Sequence, residues 1–93
     1  MEEDIELGGN IKLKGVNNLD KDTLIVLKKM IGTYAKEISE KFEKFEKLIV
    51  ELKGKEVVAI IMANGKEYKD NVKSDNLFFA LDEVLKNVQK EIK

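Results

Sequence analysis

The side chains best placed to do chemistry in this chain are lysines and one phenylalanine. Lys66, Lys69 and Lys73 stud the segment that follows Asn64-Gly65, and Phe79 lies on a helical wheel across from the Leu77/Leu81/Leu85 stripe, near Lys86, Lys90 and Lys93. Bases stack on exposed aromatic rings while ammonium groups follow phosphates, so this grouping reads as a small RNA platform. A structural reading competes with it: an apolar ring usually finds cover, here from the N-terminal arm or from a second subunit. Lys28, Lys29 and Lys36 add charge along an earlier helical segment, but Glu37, Glu40 and Glu43 interrupt any continuous basic face and suit i,i+4 pairing in water. Alternating charge across residues 66–73 would also discourage edge-to-edge association of a strand.

Other chemistries are poorly served. The chain has no Cys and no His, which removes disulfides, thiolate ligands, the cysteine nucleophile and the commonest acid-base side chain. Glu67, Tyr68 and Asp70 are neighbours in sequence, but on a strand they alternate between faces, and no partner at metal-ligand spacing accompanies them. The glycines of "LGGN" and "KLKGVNN" match neither a P-loop nor a dinucleotide fingerprint. No enzyme, cofactor, metal site or small-molecule substrate is expected.

Composition sets the bounds. Ninety-three residues suit one domain with a modest core, 43% hydrophobic and 38% charged. The formal charge is −1, yet four acids (Glu2, Glu3, Asp4, Glu6) crowd the first ten residues, leaving the remainder weakly basic. All seventeen basic residues are Lys, so phosphate would be met by mobile point charges rather than by the bidentate arginine fork, and such binding would be salt-sensitive. The longest apolar run, "VVAIIMA", is too short to span a bilayer and the N-terminus resembles no signal segment, so the expected address is cytoplasmic, with no membrane partner.

These side chains need elements to position them. Ile11 to Gly15 alternates as a strand, while the acidic residues 1–10 form either an arm or an extra edge strand at Ile5 to Leu7. After a cap at Asp20 or Asp22, Leu24, Leu27, Ile31, Ala35, Ile38 and Phe42 recur at helical spacing, with Gly32 costing about 1 kcal/mol relative to Ala. Leu48 to Lys53 and Val57 to Ala63 are strands separated by Gly54, and Asn64-Gly65 suits a type I′ hairpin into Lys66 to Lys73. Ser74 or Asp75 would cap a last helix whose stripe runs Leu77, Phe78, Leu81, Val84, Leu85, Val88 and Ile92. Residues 11–93 therefore predict one α+β domain, β-α-β-β-β-α: a four-stranded mixed sheet with a right-handed parallel crossover and both helices on one face.

That order of elements, together with two stretches, resembles the ribosome hibernation-promoting factor family, also called protein Y or the ribosome-associated translation inhibitors. "FEKFEKLIVELK" (42–53) is similar to the family's passage from first helix into second strand, and "NGKEYKDNVKSDNLFFALDEVLKNVQKEI" to its hairpin, last strand and last helix, including Ala80-Leu81-Asp82. The resemblance implies binding to the small ribosomal subunit or its RNA, and translation regulation by occupancy, with Lys44 and Lys90 at basic positions of the family. Asn87 stands where the family often has lysine, and the chain ends at Lys93 short of the family's basic helix end. The longer relatives' ribosome-pairing domain has no counterpart here, so the short form is implied. The alternative expectation is a homodimeric interaction module without RNA binding, in which the "MEED" arm meets a lysine face and Phe79 is buried between copies.

Overall fold

The computed structural model describes residues 4–8, 10–15, 19–42 and 44–91. Their elements are β1 (Asp4–Gly8), β2 (Ile11–Lys14), α1 (Lys21–Lys41), β3 (Phe45–Lys53), β4 (Glu56–Ala63), β5 (Lys66–Lys73) and α2 (Leu77–Lys90). From β2 onward this is the expected α+β order, β-α-β-β-β-α. β1 adds one more strand, so the sheet has five in the order β1-β2-β3-β4-β5. β2 and β3 are parallel, joined by α1 as a crossover, and every other pair is antiparallel.

Strand alternation decides which residues meet the helices. Leu48, Val50 and Leu52 of β3 and Val57, Ala59, Ile61 and Ala63 of β4 are buried, and they share one core cluster with Leu27, Ile31, Ala35 and Ile38 of α1 and Ala80, Leu81, Val84, Leu85 and Val88 of α2. Both helices thus lie on one face, with α2 packed over β4 and β5. Of the stripe that marks α1 in the sequence, Leu27, Ile31, Ala35 and Ile38 are buried and Leu24 is partly buried, while Phe42 falls just beyond the helix. That residue caps the helix C-terminus in extended conformation and is itself buried, its ring 6.0 Å from Tyr68 of β5.

Turns follow backbone chemistry. Asn64 and Gly65 both take positive φ, 54° and 74°, as the type I′ hairpin requires. α2 is capped by Asn76 rather than by Ser74 or Asp75: the Asn76 carboxamide oxygen accepts the Phe79 N–H at 3.1 Å, while Ser74 Oγ accepts the Asn76 N–H at 3.1 Å. Ser74 supports the residue that caps and is not the cap. Asp20 is the N-cap residue of α1.

Candidate functional site: the groove between the helices

The two helices run parallel. Tyr34 Oη donates to Asp82 Oδ1, and Lys41 Nζ donates to Gln89 Oε1 at 3.0 Å; each bond links residues 48 apart, so the chains advance together. Between them lies an open groove of about 340 Å³ lined by Tyr34, Glu37, Lys41, Lys86, Gln89 and Lys90.

Its electrostatics follow from one carboxylate. Asp82 accepts from the Tyr34 hydroxyl and pairs with Lys86 Nζ at 3.0 Å, one helical turn on. These two donors, the tyrosine first, hold the Asp82 carboxyl below its ordinary range. Burial, and then the facing carboxylate, push the Tyr34 phenol well above its ordinary range. Tyr34 therefore serves as a protonated donor that fixes α2 against α1. Lys86 is charge-matched within the chain, whereas Lys90 pairs with no carboxylate among the described residues and Lys41 is held only by a neutral amide. Such a groove can hold an oxyanion between the two helices, in partial competition with Glu37.

Phe79 lies on the same side of α2 as Lys86, two turns earlier, and is 56% exposed. β1 does not cover it, lying at the edge of the sheet opposite β5. Val26, Ile25 and Phe78 are also exposed, at the N-terminal ends of the two helices. The helix layer therefore exposes apolar side chains at the helix starts, while the groove itself is lined by three lysines with Glu37, Tyr34 and Gln89.

The other expected residues do not converge on this groove. Lys69 and Lys73 pair with Ile60 and Glu56 on the face of the sheet that the helices leave uncovered, the opposite side of the molecule. Lys44 is tied to the β4–β5 turn that precedes Lys66: the Lys44 N–H donates to Asn64 Oδ1 at 3.2 Å and the Asn64 N–H to the Lys44 carbonyl at 2.9 Å. That turn is at the end of the molecule where both helices finish, but neither Lys44 nor Lys66 lines the groove. Lys36 lines a separate depression with Asn10, Ile11, Gly32, Ala35, Ser39 and Phe45, and Lys28 and Lys29 are exposed nearer the start of α1. Lys93 and Ile92 lie outside the described residues. Sequence reasoning misses Lys41, because its neighbour Gln89 is visible only once the helix register is known; the equal seven-residue steps from Tyr34 to Lys41 and from Asp82 to Gln89 are the available signal.

Among the described residues no cluster of three or more metal-ligating side chains forms, and no polar or charged side chain is fully buried. No helix there is long and apolar enough to cross a membrane. The chain matches no protein-family model and no curated protein sequence.

Proposed function

We propose that this chain is a cytoplasmic, ribosome-associated, RNA-binding translation regulator that acts by occupying the small subunit. The observation that carries this reading is the exposed Phe79 ring on the same side of α2 as Lys86 and Lys90, with Lys41 facing them across the groove. A base on the ring and phosphates along the ammonium groups is the arrangement by which single strands and loops of RNA are held without sequence readout. The β-α-β-β-β-α order and the two stretches that resemble the hibernation-factor family favour the ribosome as the source of that RNA.

The test is co-sedimentation with purified small ribosomal subunits at two salt concentrations. Pelleting at low salt that falls steeply at high salt is expected. Lys86→Glu with Lys90→Glu should abolish pelleting at an unchanged fold by circular dichroism; undiminished pelleting of that variant rejects these residues, and no pelleting of the parent rejects the ribosome.

A second reading, self-association through the helix layer, draws on the exposure of Ile25, Val26, Phe78 and Phe79 at one end of the helix pair. Such a contact is apolar and would hardly respond to salt, so the same experiment separates the two.

A further inference from the structure

From the pattern of the sheet we infer that its uncovered face is a homodimer interface, seated on a second copy of this chain about the row Ile49–Ile60. With helices on one face only, each strand of this sheet should alternate apolar-in and polar-out. β4 does not. Its run from Val57 to Ala63 is apolar throughout, and Val58, Ile60 and Met62 belong to the face away from the helices, with Ile49 of β3 opposite Ile60. A continuous apolar run is the signature of a strand covered on both faces. Among the described residues nothing from the helix layer reaches this side.

Charge on the same face selects the occupant. Along β3 the outward residues are Lys47, Ile49 and Glu51, in register with Met62, Ile60 and Val58 of β4. A two-fold axis through the Ile49–Ile60 row and across the strands lays Ile49 and Ile60 on their own copies. It sets Val58 against the second copy's Met62, and brings Lys47 to the second copy's Glu51 twice over. This is the self-complementarity an isologous interface demands. Lys12 of the inner strand β2 and Lys69 of the edge strand β5 flank Ile49 and Ile60 on the same row and would each face their own counterpart, so the two copies seat only with these long side chains turned along the face toward solvent.

The molecule measures 35 × 25 × 19 Å, and a two-layer fold turns its broad sides outward as the sheet and helix faces. A face of that size can offer at most the roughly 800 Å² per partner of a standard interface, and its apolar centre is Ile49, Ile60 and Met62, since Val58 is already buried within one chain, at 6% exposure. The dimer leaves both helix layers facing outward, so the groove proposed to meet RNA stays open.

Sedimentation velocity of the RNA-free protein at micromolar concentration reads this directly: a species of twice 10.6 kDa is expected. Ile60→Lys should give a monomer with the parent's circular dichroism spectrum and undiminished pelleting with ribosomal subunits, so loss of the dimer, loss of the fold and loss of RNA binding are told apart. Lys47→Glu and Glu51→Lys should each raise the dissociation constant about tenfold, and the double variant should restore it, as expected for two rim pairs reversed together. Lys47 and Glu51 stand about 13 Å apart along one strand, so such a rescue cannot arise within one chain. A parent protein that is monomeric throughout overturns the inference. So does a dimer that survives Ile60→Lys or is lost only with Phe79→Ser, and so does a charge swap that fails to rescue.

Discussion

Gly15, directly after β2, holds φ at +76°, and a Cβ there would fall inside contact distance of the Leu52 carbonyl oxygen of β3. Two penalties combine, the left-handed backbone and a clash with backbone that cannot step aside. Gly15→Ala should therefore cost about 2 kcal/mol or more, a fall of roughly 10 °C in melting temperature for a domain of this size. Gly32 is the opposite case. It lies inside α1, and a methyl group there would meet nothing within 4 Å, so no contact requires its flexibility. Gly32→Ala should stabilise by up to about 1 kcal/mol, read as a rise of several degrees in the same melt. In the sequence both are simply glycines among polar or helical neighbours; only the approach of Leu52 separates the indispensable one from the expendable one.

At the scale of elements, each helix was legible in its own stripe, because burial of Leu27, Ile31 and Ile38, or of Leu81, Leu85 and Val88, imposes a 3.6-residue period. The contact between helices was not legible. Tyr34 and Asp82 sit at the flanks of their stripes, and pairing across 48 residues leaves no periodic trace. The α2 cap escapes a sequence reading for a related reason: Ser74, Asp75 and Asn76 are all competent caps, and the choice depends on where β5 delivers the chain. The Tyr34–Asp82 bond should contribute about 1 kcal/mol, with Tyr34→Phe and Asp82→Asn non-additive in a double-mutant cycle. Its pH dependence has a definite sign. The folded carboxyl of Asp82 lies below the ordinary 3.8, so its contribution is full above that value and is lost as pH falls through the folded pKa. The folded phenol of Tyr34 lies above the ordinary 10.0, so its contribution is full below pH 10 and is lost as pH rises through the folded pKa. Urea melts across pH should show both flanks flattened in Tyr34→Phe; flanks identical to the parent's would show that the bond does not form in solution.

For the whole molecule, the order of elements was readable because each turn and stripe declares itself locally, whereas the grouping of lysines depends on which face every element presents. Lys69 and Lys86 are both exposed and basic, yet strand alternation sends one to the uncovered sheet face and helix packing leaves the other beside α1. A rigid RNA surface that engages the groove cannot also engage Lys69 and Lys73. The number of phosphates neutralised should accordingly be small. With Lys41, Lys86 and Lys90 as the main contacts, the logarithm of affinity for a single strand should fall with the logarithm of salt at a slope of about −2, from roughly 0.7 per phosphate. Lys41→Gln should make that slope shallower by close to one phosphate's share, because it removes a charge whose partner among the described residues is the neutral amide of Gln89. Lys69→Glu with Lys73→Glu should leave both slope and affinity unchanged apart from a weak long-range term within about a Debye length. A slope steeper than about −4, or a sheet-face double variant as damaging as Lys86→Glu with Lys90→Glu, would mean that the polyanion wraps the molecule and that the groove is only one part of its path.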